Sequence, residues 1–235
     1  MNMHKRVYNL WKNKAGKYFW GDLLDSRFYV AHLVSKWNDE IVVDVGCGAG
    51  ILLHCTKAKL KIGLDLSLDS LKLAKKIGDP NIEVIQADSR YLPLKSEKFS
   101  KILAIHIIPA LHKEVDRLKV MREIKRISNQ KTEILIAGAN RGSKFFEKIY
   151  SEEYNKSFTH FSEIVNFFQN DFSVIAEGYG AFSKQTMFSL RFIYKIPEKF
   201  LEKSGIEMLV FKLLKGEKQL KDGRSYVIIC NRERN

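Results

Sequence analysis

The sequence predicts an α/β fold, in which a mostly parallel sheet of seven strands carries helices on both faces. Two observations predict it. Short apolar segments with the length of buried strands alternate along the chain with amphipathic segments of helical period. The first such strand, residues 42–45, runs directly into a glycine-rich turn, as in the strand–turn–helix units of doubly wound sheets. The chain has 235 residues, which suits one domain with modest additions.

The composition is that of a globular protein, with 45% hydrophobic and 29% charged residues. No apolar run approaches the roughly 18 residues that a membrane helix needs, and the N-terminus has no apolar signal core. The three cysteines, Cys47, Cys55 and Cys230, form no C-x-x-C pair. We therefore expect a cytoplasmic protein without a membrane partner. The six histidines are scattered, so we expect no metal site.

The formal net charge is +13, and basic proteins often bind nucleic acid or anionic surfaces. The excess of basic side chains is shared among residues 1–40, 41–140 and 141–235, and no segment holds most of it. Two interpretations follow from this distribution. The charge either forms an RNA-binding face or belongs to a generally basic surface.

The glycine-rich turn, D-V-G-C-G-A-G at residues 44–50, is the candidate ligand site. Glycine adopts positive φ and lets a ligand approach the backbone, and a helix predicted at about 50–57 would add free N–H groups. The dinucleotide fingerprint G-x-G-x-x-G fails because Ile51 stands where the third glycine belongs. An acidic residue before the turn suits a ligand with an ammonium and a sulfonium group better than a pyrophosphate. The candidate ligand-binding residues are Asp44, Gly46, Cys47, Gly48 and Gly50.

At these residues the sequence resembles the class I S-adenosylmethionine-dependent methyltransferases of the type 11-like subgroup, whose first motif runs D-x-G-C-G-x-G. The resemblance covers about residues 40–140. It implies a Rossmann-like sandwich with strand order 3-2-1-4-5-7-6 and an antiparallel seventh strand. It also implies S-adenosylmethionine as cofactor, lying across the carboxyl ends of strands 1 to 3.

The second strand, at residues 59–65, ends in Asp65, 21 residues after Asp44. An acidic side chain at this tip can accept hydrogen bonds from both ribose hydroxyls, and in the resembled family it is the ribose ligand. Leu66, Ser67 and the helix predicted at residues 69–76 complete the family pattern D-x-S-x-x-x-L-x-x-A-K. We assign Asp65 and Leu66 to the cofactor on that resemblance.

The third strand, at residues 82–87, precedes Asp88 and Ser89, with a Leu-Pro pair at residues 92–93. The resemblance implies that Asp88 accepts a hydrogen bond from the adenine amino group. It implies that the backbone N–H of Ser89 reaches the adenine ring. A helix N-cap is the other interpretation of Asp88 taken alone.

The fourth strand, at residues 101–105, leads into His106. Ile105 stands where the N-P-P-Y motif of amino-methylating enzymes has Asn, which argues against an exocyclic base amine as acceptor, and we place Ile105 beside the cofactor. The family's usual F-D before this strand is F-S here, and its usual histidine motif after the strand is Pro109 and Ala110. His106 is the nearby side chain able to take a proton near neutral pH, so it is the candidate base or acceptor-orienting group. A packing role is the alternative.

The remaining predictions concern the flanks. Residues 1–40 are expected to form a helical lid, with Tyr8 contacting the cofactor, ahead of a methyltransferase domain at residues 41–235. Strands are predicted at 132–137, about 172–176 and 225–230, and helices at 116–127 and within 144–169. The basic helix at 116–127 is similar to a segment of the tRNA wobble-uridine methyltransferases. Residues 180–222 form an aromatic and basic insert, expected to be a helical cap, a substrate pocket or an RNA surface.

The function predicted from these motifs is S-adenosylmethionine-dependent methyl transfer. The favoured acceptor is RNA, and specifically tRNA, because of the net charge and the basic helix. A small-molecule acceptor is the alternative, supported by the aromatic insert. A non-catalytic cofactor-binding scaffold is a third interpretation, because Ser100, Pro109 and Ala110 depart from the family pattern.

Overall fold

The computed structural model describes residues 26–76, 78–140, 160–179, 215–216 and 225–232. The strands are β1 (Ile41–Val45), β2 (Leu60–Asp65), β3 (Ile82–Gln86), β4 (Phe99–Ile105), β5 (Ser128–Ala139), β6 (Ser173–Tyr179), β7 (Lys215–Gly216) and β8 (Ser225–Asn231). The α-helices are α1 (Ser26–Val34), α2 (Leu68–Lys76), α3 (Glu114–Ile127) and α4 (Phe161–Phe168). Within these ranges, no helix combines the length and the apolar character needed to cross a membrane.

The strands form one sheet in the order β3-β2-β1-β4-β5-β8-β6-β7. The first five are parallel, and β8 is antiparallel to both β5 and β6. This confirms the predicted order, with β8 as the predicted seventh strand. The two-residue strand β7 extends the edge beyond β6 and lies within residues 180–222, which were predicted to be helical. The predicted seven-stranded, mostly parallel sheet is therefore confirmed, and β7 is a short addition at its edge.

The central strands β1 and β4 are buried on both sides where their sequences are aliphatic, at Val42 and Val43 of β1 and from Ile102 to Ile105 of β4. Val42 and Leu103 point into one apolar cluster, whereas Val43 and Ile102 point into the other. This alternation follows from the two-residue period of a strand. A strand segment that packs against two cores needs apolar side chains on both faces, which explains these aliphatic segments.

Helices cover both faces of the sheet. On one face, α1 packs its Val30 and Val34 into the cluster that contains Leu135 of β5 and Val227 of β8. On the other face, α3 and α4 pack against the second cluster, with Met121 and Phe168 among their fully buried side chains. The predicted two-layer covering of the sheet is therefore present in the described residues.

The segment after the glycine turn differs from its prediction. We expected an α-helix at about 50–57, but only Leu53–Cys55 forms a helical turn, and that turn is 3₁₀. Thr56 has extended backbone and ends this turn, so the chain reaches β2 at Leu60 without forming an α-helix.

The sheet order places a switch point between β1 and β4. The chain runs from β1 outwards to β2 and β3, and then crosses back to start β4 on the other side of β1. In open α/β sheets a crevice forms where the connections diverge in this way, outside the carboxyl ends of the strands. The predicted ligand-binding residues lie at those ends.

Gly138 lies between two rings on the side of β5 that faces α3 and α4. It pairs with Tyr226 of β8, and a Cβ atom at Gly138 would clash with the Pro109 ring and lie 2.9 Å from Tyr226 Oη. Pro109 belongs to the 3₁₀ turn Ile108–Ala110, which follows β4. A glycine at this position therefore lets the connection after β4 pack tightly against the sheet.

We predict that Gly138→Ala lowers the free energy of unfolding by about 2 kcal/mol, because an added methyl group in a filled core forces its neighbours apart. Urea unfolding followed by circular dichroism measures the change. Adding Pro109→Ala removes the ring that clashes, so the double variant should recover part of the loss. A Gly138→Ala protein as stable as the parent would contradict this packing.

Candidate functional site

The predicted site residues lie at one edge of the sheet. Asp44 is the second-last residue of β1, Asp65 ends β2, Asp88 follows β3 and Ile105 ends β4. Because these four strands are parallel, their carboxyl ends lie side by side. The structure thus brings together the residues that the sequence places in three separate motifs.

The glycine turn is fixed to the end of β2 by its backbone. The N–H groups of Gly46 and Cys47 both donate to the carbonyl of Leu64, at 2.7 and 2.9 Å. Gly46, Gly48 and Gly50 have φ values of +77°, +53° and +69°, a conformation that costs a residue with a side chain free energy. The three glycines are therefore required by the path of this turn.

Gly48 differs from the other two glycines in its surroundings. A Cβ atom at Gly46 would lie 2.9 Å from Ile107 Cβ, and one at Gly50 would lie 3.0 Å from Ala74 Cβ. At Gly48, no heavy atom of the described residues comes within 4 Å of that position. Two of the glycines accommodate packing, whereas Gly48 presents bare backbone to open space, as a ligand cradle does.

Asp65 links the turn to β2 through its carboxylate. Its Oδ2 atom accepts the N–H of Gly48 at 2.8 Å, and its Oδ1 atom accepts the N–H of Ser67 at 2.8 Å. These bonds fix the side chain, and each carboxylate oxygen keeps a further lone pair for a ligand hydroxyl. Leu66 has a side chain 68% exposed beside it, and its carbonyl accepts a bond from Gln86 Nε2 at 3.1 Å.

Asp44 has an unsatisfied carboxylate. Its side chain is 2% exposed, and Oδ1 has no hydrogen-bond partner among the described residues. Burial, and then the negative charge of Asp65, raise the pKa of Asp44 to about 7. A cationic group of a ligand would supply the missing partner. The donor set thus fits a ligand such as S-adenosylmethionine, which has an ammonium and a sulfonium group beside a ribose diol.

Cys47 contributes packing to the turn. Its Sγ atom would lie 2.7 Å from a Cβ atom at Gly63, so the thiol fills the space that this glycine leaves on β2. Burial, with the charges of Asp44 and Asp65, raises the pKa of the Cys47 thiol well above its ordinary value. The thiol therefore stays neutral and is a poor nucleophile.

Asp88 is held by an ion pair that the sequence did not reveal. Arg90 donates from Nε at 3.0 Å and from Nη2 at 2.6 Å to the Asp88 carboxylate, and from Nη1 to Asp116 at 3.0 Å. These hydrogen bonds from Arg90 lower the pKa of Asp88. Arg90 lies only two residues after Asp88, but Asp116 is distant in sequence on α3. The assignment of Asp88 to adenine stays a prediction, with the ion pair fixing the carboxylate.

The connection after β4 completes the site edge. We call residues 106–112 the β4 loop. His106 has φ +63°, an uncommon value for a residue with a side chain, and its N–H donates to the carbonyl of Ala137 at 2.7 Å. Ile107 packs against Gly46, so the loop touches the glycine turn. His106 therefore begins a loop that lies directly against the ligand cradle.

Several predictions fall on other parts of the chain. Tyr8 lies outside the described residues, as do residues 1–25 of the predicted lid and residues 180–214 of the predicted insert. Ser89 is half-buried in the turn after Asp88. In the described ranges, no group of three or more His, Cys, Asp or Glu side chains is arranged to hold a metal ion.

The chain is similar to known methyltransferases in sequence. The model of the methyltransferase-domain family matches residues 37–215. The chain is 32% identical over 115 residues to an uncharacterized protein of Methanocaldococcus jannaschii, a match that covers 49% of this chain and 48% of that protein. It is 30% identical over 97 residues to the tRNA (carboxymethyluridine(34)-5-O)-methyltransferase of Arabidopsis thaliana, covering 41% of this chain and 23% of that enzyme. The chain thus spans about half the length of the first relative and under a quarter of the second.

Solved structures share the fold. A SAM-dependent methyltransferase of Thermotoga maritima, described as a possible histamine N-methyltransferase, matches with a TM-score of 0.64 and 16% identity, covering 97% of this chain and 99% of that one. A putative methyltransferase, solved in complex with the Haloferax volcanii Trm112 methyltransferase activator, matches with a TM-score of 0.61 and 14% identity, covering 95% of this chain and 96% of that one. At such identities the likeness shows the fold.

The raised pKa of Asp44 predicts a pH-dependent stability. Between about pH 4 and 7 the carboxyl group of Asp44 releases its proton in the unfolded chain but keeps it in the folded protein. Asp44 therefore lowers the free energy of unfolding progressively over this range, and the full loss is reached above pH 7. Asn does not titrate. We therefore expect Asp44→Asn to raise the free energy of unfolding of the ligand-free protein at pH 8 but not at pH 4, by at most about 4 kcal/mol, which urea unfolding at the two pH values measures. Equal stabilisation at both pH values would contradict the assignment.

The same Asp44→Asn variant should bind S-adenosylmethionine less tightly at pH 8, by about 1.5–3 kcal/mol, because it loses a charge-assisted partner for the ligand cation. Isothermal titration calorimetry measures the affinity. Stability and affinity should thus change in opposite directions, whereas a simple packing defect would lower both.

Asp65→Ala should abolish S-adenosylmethionine binding, because it removes the acceptor that orders Gly48 and that we expect to bind the ribose. Equilibrium dialysis with the labelled cofactor measures the loss. Asp69→Ala, on the exposed first turn of α2, removes the same charge four residues away and should bind as the parent does. Retained binding in Asp65→Ala would refute the ribose assignment.

Proposed function

The chain belongs to the methyltransferase-domain family, and from that premise we propose that it transfers a methyl group from S-adenosylmethionine to RNA, with tRNA as the substrate class. The enzyme class and the S-adenosylmethionine cofactor follow from the family match over residues 37–215, and the fold follows from the similar solved structures. The proposal concerns the acceptor and the roles of individual residues.

For the cofactor, we assign each polar group at the site edge to the part of the ligand that its chemistry suits. Asp44 and the backbone of the glycine turn hold the cationic amino-acid end, and Gly48 provides the open approach. Asp65 binds the ribose, beside the exposed side chain of Leu66. Asp88 and Ser89 bind the adenine, and Ile105 closes the site from the end of β4.

S-adenosylmethionine supplies a methyl group already activated by its sulfonium, for transfer by in-line displacement. The protein then has to hold the acceptor atom at attack distance, and positioning alone can supply a large part of the acceleration. His106 begins the β4 loop beside the glycine turn. We assign it the role of orienting the acceptor or taking its proton.

An exposed aromatic and basic surface supports RNA as the acceptor. Tyr91 is 64% exposed, and Lys119 lies with Nζ 3.0 Å from its hydroxyl and 5.4 Å from the centre of its ring. We define the basic face as Tyr91, Lys95, Lys119 and Arg122. Lys95 lines an open groove of about 540 Å³ with Tyr91, and Arg122 is exposed one turn beyond Lys119 on α3.

The basic face has the two features that single-stranded RNA needs. An exposed ring offers a base a stacking surface, and lysine and arginine beside it contact phosphates. Within the described residues, no acidic side chain forms an ion pair with Lys95 or Arg122, so their charges are available. The net charge of +13 and the partial match to a tRNA methyltransferase point in the same direction.

The test of the proposal is transfer of a labelled methyl group from S-adenosylmethionine into a cell extract, separated into RNA, protein and small-molecule fractions. We expect label in the tRNA, and none when Asp65→Ala replaces the parent. Label confined to small molecules would overturn the RNA assignment. Tight cofactor binding with no label in any fraction would support a non-catalytic scaffold. Unchanged turnover in His106→Ala would remove that residue from the chemistry.

Binding to purified tRNA tests the basic face itself. Arg122→Ala should weaken binding and reduce the slope of log affinity against log salt by about one, because one phosphate contact is lost. Tyr91→Ala should cost about 1–3 kcal/mol of stacking, and Tyr91→Phe much less. Lys59→Ala removes one exposed positive charge that is paired with Glu40 just before β2 and does not belong to the basic face, so it serves as the control for net charge. Equal losses for Arg122→Ala and Lys59→Ala would indicate net charge without a defined face.

A further inference from the structure

The β4 loop is held at its far end by one buried arginine of α3. Arg117 is 7% exposed, and its Nη1 atom donates to the carbonyls of Leu111 and His112 at 3.1 and 2.9 Å. A buried guanidinium must have its donors satisfied, so these bonds fix both the side chain and the loop. Arg117 therefore fastens the last two residues of the loop to the helix that follows it.

Glu163 of α4 fixes the opposite side of the same guanidinium. Its two carboxylate oxygens accept from Arg117 Nε and Nη2, each at 3.1 Å. This bidentate pair aligns the planar fork of the arginine and leaves Nη1 directed at the loop carbonyls. The pair joins α3 to α4 through two residues that are 46 positions apart in sequence. Because Nη1 of the same arginine bonds the loop carbonyls, both helices are connected to the β4 loop.

Three further contacts hold the rest of the loop. His106 donates its N–H to Ala137, Ile107 packs on Gly46, and Pro109 packs on Gly138. The positive φ of His106 is unfavourable for a residue with a side chain and persists only where the surroundings determine it. A loop fastened at both ends and along its length can maintain this conformation.

We propose that Arg117, braced by Glu163, is a positioning residue that sets the β4 loop and His106 against the glycine turn for methyl transfer. Its effect on turnover rests on the proposed function, but its effect on the loop does not. Lysine cannot replace it, because one ammonium group cannot bond two carbonyls and a carboxylate in the same planar geometry. The residue acts through the loop and does not touch the cofactor site.

A purely structural role makes a different prediction. If Arg117 served only stability, its loss would lower the melting temperature, and each folded molecule would transfer methyl groups at the parent rate. A positioning role lowers the turnover of folded, cofactor-bound molecules, since a displacement of about 1 Å can cost roughly 100-fold in rate. Cofactor affinity should change little, because Asp44 and Asp65 are fixed by β1 and β2.

The first arm of the experiment follows amide hydrogen exchange in the full-length protein. Arg117→Lys and Glu163→Gln should both speed exchange in peptides covering residues 106–112, by about 10-fold or more in Arg117→Lys. Peptides covering residues 60–67 should be unchanged. Arg232→Lys is the matched control, because Arg232 also bonds a backbone carbonyl, that of Ser128, at the other end of the sheet. It should leave the β4 loop unchanged.

The second arm measures methyl transfer into whichever fraction the parent enzyme labels, below the melting temperature of each variant. For Arg117→Lys we expect kcat to fall about 10- to 100-fold while the Kd for S-adenosylmethionine stays within about threefold. Glu163→Gln keeps the carbonyl bonds of Arg117, so its loss should be smaller. The losses in the double variant should be less than additive, because Glu163 acts through Arg117.

The outcomes separate the two proposals. Unchanged exchange in the β4 loop of both variants overturns the positioning role, as does faster exchange with parental kcat. If Arg117→Lys does not fold, Glu163→Gln decides the matter by the same two measurements. A parent that labels no fraction overturns the proposed function, and the exchange arm then still tests whether Arg117 sets the loop.

Discussion

The site depends on the electrostatic conflict between Asp44 and Asp65, which end neighbouring parallel strands and whose carboxylates therefore lie on the same edge. The structure compensates the negative charge of Asp65 but leaves one oxygen of Asp44 without a partner among the described residues. Asp65 is compensated by the N–H groups of Gly48 and Ser67, and the positive φ of the glycines is what aims the first of them. Asp44 is left with a buried oxygen that no described residue satisfies. The unsatisfied carboxylate oxygen of Asp44 favours a ligand that carries positive charge.

This arrangement couples protonation to binding at neutral pH. With its pKa raised to about 7, Asp44 in the ligand-free protein is partly protonated in this range, and a bound cation favours the charged form. In the proposed binding mode, the cofactor contributes both contacts and the positive charge that the described residues do not supply to Asp44. The same logic explains the acidic residue before the glycine turn, which a pyrophosphate site would not tolerate. Two carboxylates and a bare glycine backbone therefore favour a nucleoside with a cationic amino-acid end.

Local patterns in the sequence were sufficient to predict the strands, the glycine turn and the acidic strand tips, because each depends on residues that are close in the chain. The strand order came from resemblance and is confirmed. The α-helix predicted after the glycine turn was wrong: a 3₁₀ turn at Leu53–Cys55 and the extended Thr56 stand in its place, and the apolar pattern of this segment does not distinguish the two. The pairs Arg90–Asp116 and Arg117–Glu163 escaped prediction for another reason. Their partners meet only once α3 and α4 have packed on the sheet.

Gly46 is where the two halves of the domain meet. It bends the cofactor turn with a φ of +77°, and its missing side chain makes room for Ile107 of the β4 loop. The first constraint comes from the half of the sheet that contains β1 to β3, and the second from the half that contains β4 and β5, with α3 and α4 packed against it. A side chain there would strain the turn and push the loop away together. The glycine turn and the β4 loop thus meet where the Ile107 side chain lies against Gly46, and in our proposal Arg117 keeps the loop in that contact.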